Sequence, residues 1–331
     1  CSRIIQTRDS DGWTEFGVDV REVGEFGLID LVTRSFVPAA HVLVGPGDDA
    51  AIVQAADGRV VVSTDVLIEG RHFRRDWSSA HDVGRKAAAS NLSDISAMGA
   101  VPTALVVALG VPGDLDSAWV AELAAGLRDE CEPLGAQVVG GDISRSDIVV
   151  ISVTVMGDLQ GRAPVLRSGA RPGDVLAIAG RLGWAAAGLA ILGRGFRSPR
   201  ALADAQRVPE PPYAAGPAAA LHGATSMIDI SDGLVADVRH LAQASGCSIH
   251  IHSNLLVVDD SVAQAAAAFN ADPLSWVLTG GEDHALVATF PAKAGLPSGF
   301  VMIGEVKEGT AGVVVDGEPV DAGGGWDHFR T

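Results

Sequence analysis

Two adjoining stretches decide the architecture: "RVVVSTDVLI" at residues 59–68 and "SAHDVGRKAAASNLSDISAM" at 79–98. The first is a β-branched run closed by Thr-Asp, which predicts a strand. The second places Val83, Ala87, Leu92, Ile95 and Met98 at helical spacing, with Ser78 or Ser79 available as a cap. Lys86, Ser90 and Asp94 fall at i, i+4 and i+8, so they share a second face of that helix among small neighbours. Strands and helices alternate in this way along the chain, and acidic residues recur at the ends of its apolar runs.

Outward from this unit the same alternation continues. Upstream, residues 26–36 read as a helix, and "HVLVGPGDDAAIV" (41–53) reads as a β-rich segment joined to the strand through a turn at Asp57-Gly58. Downstream come a strand at 103–112, an amphipathic helix at 116–135 and strands at 136–142 and 147–159. Periodicity then lapses in "GDLQGRAPVLRSGARPGD" (157–174), where we place a domain boundary. A second set follows: a strand at 175–180, a Gly/Ala-rich helix at 182–195, a proline-bearing stretch of loop and short helix at 199–217, and strand, turn, helix, strand over 226–252. A helix at 261–270 and strands at 284–290, 300–306 and 311–317 complete it. The expectation is an α/β (α+β) protein of two similar halves, residues 22–158 and 159–331, with residues 1–21 as a poorly ordered extension.

Composition narrows the function. The 331 residues include 47% hydrophobic and 20% charged side chains, a globular balance with no apolar run of membrane-spanning length. The net charge of −17 argues against nucleic acid as a partner. Three lysines occur (Lys86, Lys293 and Lys307), none in a Gly-x-x-x-x-Gly-Lys loop, so any bound phosphate needs metal ions for most of its neutralisation. Cys1, Cys131 and Cys247 lie far apart and form neither a disulfide framework nor a thiolate metal site. No secretory signal segment is evident, and a cytoplasmic location is expected.

Acidic residues recur at the ends of apolar runs: Asp48 and Asp49, Asp65, Asp142, Asp229 and Asp232, with Asp94 on the helix. Taken singly, an Asp beside Gly is a solvated turn residue. As a set flanked by Gly, Ser and Thr, beyond strand ends of an α/β protein, they suit a hard, oxygen-seeking cation such as Mg²⁺. There is no His-Glu-x-x-His zinc motif. The remaining tryptophans, Trp13, Trp77, Trp119, Trp184 and Trp276, read as packing residues.

The chain resembles the thiamine-monophosphate kinase family. The resemblance rests on "GEFGLID" (24–30), "GPGDDAAIV" (45–53), "STDVLIEGRHF" (63–73), "AAASNLSDISAMGAVP" (87–102), "GGDISRS" (140–146), "LRSGARPGD" (166–174), "IDISDGLVADV" (228–238), "TGGEDHAL" (279–286) and "GWDHF" (325–329), in family order. It implies a two-domain fold like that of aminoimidazole ribonucleotide synthetase, whose N-terminal sheet pairs across a homodimer. It also implies ATP-dependent phosphorylation of thiamine monophosphate. Motif by motif, it implies that Asp48, Ser63, Thr64, Asp65, Asp94, Asp142, Asp229 and Asp232 hold several Mg²⁺ ions. Gly141, Asp142, Arg167 and Ser231 would contact ATP, and His72, Glu282 and Trp326 the thiamine monophosphate. Trp326 stands where the family often has Tyr, as does His284, whose role the resemblance leaves open.

The chemistry agrees with that reading. A phosphate-monoester oxygen is already largely ionised near neutral pH, so no general base is assigned. Arg167 offers a forked guanidinium as a phosphate stabiliser. Selenophosphate synthetase would need a reactive Cys beside a Lys, and the hydrogenase-maturation relative a C-terminal Cys; neither is present in that setting. A catalytically inert metal-binding scaffold is the rival from another class, and an assay with and without Mg²⁺ separates it.

Overall fold

The computed structural model describes residues 8–9, 12–13, 19–34, 39–44 and 51–320. Asp48, Asp49 and Trp326 therefore lie outside the described residues, as does most of the expected N-terminal extension. A two-residue pair, Arg8–Asp9 (β1) with Gly12–Trp13 (β2), precedes helix α1, Val20–Thr33. Helix α1 starts earlier than the apolar spacing predicts and within the stretch read as an extension. It bends at Gly24, whose φ of 73° breaks the helical pattern. The amides of Val20 and Arg21 bond to the carbonyls of Leu115 and Gly113.

The first half is built on a four-stranded sheet ordered β5-β8-β6-β7: Val61–Ile68 (β5), Val101–Val111 (β6), Gln137–Arg145 (β7) and Val150–Asp158 (β8). Only β6 and β7 run parallel. A short pair, Val42–Val44 (β3) with Ile52–Val53 (β4), forms its own ladder and packs against Ala104, Val106, Val139 and Met156 of this sheet. Helices α2 (Ala80–Ala97) and α3 (Ser117–Cys131) cover one face. Ser79 caps α2 in a reciprocal box with Asp82. The two helices approach closely because each presents a glycine to the other: a side chain at Gly84 would strike the Leu123 carbonyl, and one at Gly126 the His81 carbonyl, both at 2.1 Å.

The second half holds a seven-stranded, mostly antiparallel sheet. Its strands are Asp174–Ala179 (β9), Ser226–Ile230 (β10), Ser248–Ile251 (β11), Ala285–Pro291 (β12), Val301–Lys307 (β13), Gly312–Val315 (β14) and Glu318–Pro319 (β15), ordered β10-β12-β9-β13-β11-β14-β15. Helix α7 (Leu234–Ser245) packs on one face. Helices α4 (Trp184–Gly193), α5 (Arg200–Arg207), α6 (Ala215–Leu221), α8 (Asp260–Ala268) and α9 (Pro273–Thr279) complete the half. The proline-bearing stretch thus contains two helices, and α9, which the sequence reading did not include, starts on Pro273 with Asp272 as its cap.

Helix α2 joins the halves. Its apolar row, with Val83, Leu92 and Ile95 fully buried, faces the first core. Its opposite side meets the second half: Gly216 of α6 sits against the Ser96 carbonyl, and α2 also touches β10 and α5. With apolar faces on both sides, α2 is buried almost all round. The polar row of Lys86, Ser90 and Asp94 is consequently set at the junction.

Candidate functional site

The halves enclose a cleft of about 1350 Å³, larger than a pocket for one small ligand. Its first wall is β5 and α2. Alternation along β5 sends Ser63, Asp65 and Leu67 toward α2, while Val62, Thr64 and Val66 point to the open face of the sheet. Ser63 Oγ donates to Asp94 Oδ2 (2.5 Å), and the Asp65 amide donates to Asn91 Oδ1 (3.1 Å), so strand and helix are tied through the acidic residues themselves.

The opposite wall is the end of β10 and the turn after it. Asp229, buried, receives the Ser93 hydroxyl (3.0 Å) and pairs with His284 Nδ1 (3.0 Å), both on Oδ2. Ser231 and Asp232 follow at the cleft edge, and the amides of Asp232 and Gly233 donate to Asp237 Oδ2 at 3.1 Å each. The 280–284 loop closes this wall. Glu282 and His284 both adopt positive φ, 69° and 51°, which non-glycine residues reach at about 1–3 kcal/mol of strain each. Their amides donate to the Ser231 and Ile230 carbonyls (2.7 and 2.9 Å), and between them the buried Asp283 accepts the Gly183 and Ala185 amides at the start of α4.

The electrostatics show a site short of positive charge. Burial, then the nearby Asp229, push the Asp94 carboxyl up to about 7 against the pull of the Ser63 hydroxyl. Burial likewise lifts Asp65, opposed by His284 and reinforced by Asp229. Burial, with Asp229 and Asp232, takes Asp237 to about 8. For His284, burial works against the proton, but the bond to Asp229 more than offsets it and the imidazole is held above its usual value. These carboxylates repel one another, and an all-oxygen donor set of this kind fits a divalent cation. Among the described residues no three acidic, histidine or cysteine side chains already converge as a ready-made cage.

Of the residues singled out from sequence, Ser63, Asp65, Asp94, Asp229, Asp232, Arg167, Ser231, His72 and Glu282 all line this one cleft. His72 Nδ1 accepts the Ile68 amide (2.9 Å). Arg167 is exposed at the rim, with no side-chain partner among the described residues. Thr64 and Asp142 lie elsewhere. The Thr64 hydroxyl donates to the Val153 carbonyl (2.9 Å) and receives that of Thr154 (3.2 Å). Asp142 is exposed on β7 opposite Ala108 and receives the Ser144 hydroxyl (3.0 Å). Gly141 is explained by packing, since a side chain there would meet the Val107 carbonyl at 2.0 Å.

Several lining residues were not singled out. Ala186, Leu189 and Ala190 of α4 and Trp276 of α9 form an apolar wall, and Arg71 and His240 also reach the cleft. The Trp276 ring packs on the α4–α8 core as expected, and also borders the cavity. That wall carries no spacing signal along the chain, because it is assembled from two helices brought together by the fold.

Comparisons with known proteins agree on one family. Residues 47–159 match the N-terminal domain of AIR synthase related protein, and residues 171–317 its C-terminal domain. Over 326 residues the chain is 50% identical to the thiamine-monophosphate kinase of Mycobacterium tuberculosis (strain CDC 1551 / Oshkosh), covering 98% of this chain and 97% of that protein. It is 38% identical over 314 residues to the thiamine-monophosphate kinase of Aquifex aeolicus (strain VF5), covering 94% and 99%. The solved structure of AaThiL complexed with AMPPCP and TMP superposes with a TM-score of 0.76 at 37% identity, over 95% of this chain and 100% of that one. The chain belongs to the thiamine-monophosphate kinase family.

Proposed function

We infer that this chain transfers the γ-phosphoryl group of ATP to the phosphate of thiamine monophosphate, giving thiamine diphosphate and ADP. The observation that carries this reading is a single cleft with two chemistries. Its lining combines Asp65, Asp94, Asp229 and Asp232, with Ser63 and Ser231, and the apolar α4–α9 wall with Glu282. The first suits phosphates accompanied by cations; the second suits a flat, cationic ring system, with a carboxylate for its charge. The relative complexed with AMPPCP and TMP supports the same pairing of ligands.

In this reading Ser63, Asp65, Asp94, Asp229 and Asp232 hold Mg²⁺, with Asp48 as a further ligand. Bound there, Mg²⁺ supplies neutralisation of the β- and γ-phosphate oxygens. Ser231 and Arg167 contact ATP, and Arg167 is placed at the rim to meet charge that develops on the phosphates. His72 and Glu282 contact the acceptor. The attacking phosphate oxygen needs no base, so the protein contributes alignment, charge and exclusion of water.

Trp326 completes the acceptor site in this reading. Reach supports it: Arg239 Nη2 holds the Val320 carbonyl (3.0 Å) on α7, whose next residue, His240, lines the cleft. Six further residues span up to about 20 Å. Trp326→Ala should raise KM for thiamine monophosphate about five- to thirtyfold, or about 1–2 kcal/mol, with KM for ATP steady. Equal KM values in a folded variant would remove Trp326 from the site.

We further assign a homodimer formed through the open face of the first sheet. Val60, Val62 and Val66 are 49%, 58% and 44% exposed there, and Thr64 and Asp142 share that face. A partner covering it would bring these two residues, with Gly141, into a composite nucleotide site. The division at residue 158/159 then separates an ATP- and cation-binding, dimerising half from one that completes the nucleotide and acceptor site. The cytoplasm suits both the ATP requirement and the free, buried Cys131 and Cys247. Fractionation of expressing cells checks the compartment. The functional reading is tested by ADP release: it should require Mg²⁺ and thiamine monophosphate together, and thiamine should not replace the monophosphate. Equal release with no acceptor would reduce the activity to ATP hydrolysis.

A further inference from the structure

Of the three lysines, only Lys86 is buried, with 3% of its side chain exposed. A lysine in a nucleotide cleft would ordinarily be read as a phosphate ligand. Its donors are instead already committed. Lys86 Nζ forms an ion pair with Glu282 Oε2 and donates to the Gln206 carbonyl (3.0 Å). The Gln206 carboxamide, with its nitrogen on the Ala185 carbonyl (3.0 Å), turns its oxygen to the same ammonium (3.3 Å). Three donors thus meet three acceptors, which is what a buried ammonium requires.

The partner is built with equal care. Glu282 keeps 35% of its side chain open to the cleft. Its backbone is held in the left-handed region by the bond from its amide to Ser231, by the tight seat of Gly281, where a side chain would meet the Ser231 carbonyl at 2.4 Å, and by Asp283 anchored to α4. Lys86 takes Oε2, and among the described residues Oε1 has no partner that would turn it from the cleft. Burial alone would push this carboxyl up, yet the Lys86 ammonium takes it below its usual range. A purely structural ion pair needs neither a strained backbone nor an oxygen left facing a ligand cavity.

We propose that Lys86 is a positioning residue for acceptor recognition: it keeps the Glu282 carboxylate charged and aimed, with Oε1 presented to the cationic, N–H-bearing rings of the acceptor. This rests on the reading of the cleft given above. Lys86 does not itself touch either substrate. It acts from α2 across the junction of the two halves, so docking of the halves and shaping of the acceptor site are one event.

The test is a kinetic set: Lys86→Met, Lys86→Arg, Glu282→Gln and the double variant Lys86→Met/Glu282→Gln. In Lys86→Met, KM for thiamine monophosphate should rise about tenfold or more, the size of one lost charge-assisted contact, with KM for ATP within about twofold. Lys86→Arg should recover most of that loss. The double variant should match Glu282→Gln alone, because the two act as a unit. A larger rise in KM for ATP, a fall in kcat with both KM values unchanged, or independent effects in the double variant would each overturn the proposal. If Lys86→Met fails to fold, the double variant, which leaves no buried charge unpaired, decides by the same comparison. If the wild-type chain makes no thiamine diphosphate, the functional reading fails. Calorimetric titration with thiamine then judges the tether by itself: Lys86→Met must weaken binding about tenfold, and no binding to the wild-type chain, or equal binding to both, overturns it.

Discussion

The two faces of β5 differ sharply in chemistry. On one, Ser63, Asp65 and Leu67 meet α2, and each polar atom there is tied to the helix or turned to the cleft. On the other, Val62 and Val66 flank Thr64, and their cross-strand neighbours Met156 and Ser152 continue the surface. A single residue separates carboxylates in a cleft from valines facing outward. The difference teaches that a short motif such as "STD" does not hold one function: the pleat divides it between two surfaces. The cleft face packs against α2 of the same chain. The open face is partly covered by β3 and β4 around Ala104, Val106 and Met156, and among the described residues it leaves Val62 and Val66 exposed.

Four experiments break or sharpen this contrast. The largest effect belongs to the cation. Transfer should vanish in excess chelator and return with Mg²⁺; undiminished activity without divalent metal would remove the carboxylates of the cleft face from the chemistry. Next is Asp94→Asn, which keeps the shape of the side chain that meets Ser63 but removes its negative charge. We expect kcat to fall about 10²–10³-fold, or roughly 3–4 kcal/mol of transition-state stabilisation, with melting temperature maintained. Retained turnover would place the cation elsewhere.

The third experiment turns to the other face. Val62→Asp together with Val66→Asp puts charge where a partner should sit. Light scattering at micromolar concentration should show a dimer for the parent chain and a monomer for the variant, with unchanged far-UV circular dichroism. A parent chain already monomeric would refute the assembly. The smallest effect is a paired comparison of stability along one strand. Leu67→Ala, on the buried face, should lose about 2–4 kcal/mol, whereas Val62→Ala should change the monomeric form by about 0.5 kcal/mol or less. Similar losses at the two positions would mean that the faces are not as distinct as their exposure indicates.

Much of this was legible in the chain because it is local. The apolar row of α2 and its Ser79 cap, the strands of both sheets and the gap in periodicity after Gly157 are spacing effects, and they appear where the spacing puts them. Helices α5, α6 and α9 were not resolved individually. They are seven or eight residues long and carry, begin at or directly follow a proline, and helices so short depend on tertiary packing. The acidic set was visible as a pattern, but its division was not. Period-two alternation would have separated Thr64 from Asp65, and only the register of β7 against β6 shows Asp142 on the far face. Nothing in the sequence joins Lys86 to Glu282 or His284 to Asp229, because those contacts exist only once the halves meet.

The central claim is that one cleft brings ATP and thiamine monophosphate together for direct phosphoryl transfer. The most direct measurement follows the label. Incubate the chain with Mg²⁺, thiamine monophosphate and ATP labelled at the γ-phosphate, and separate the products by ion-pair chromatography. We predict that label appears in the terminal phosphate of thiamine diphosphate in step with ADP, one for one. Label found only in inorganic phosphate, or ADP formed without thiamine diphosphate, would contradict the account.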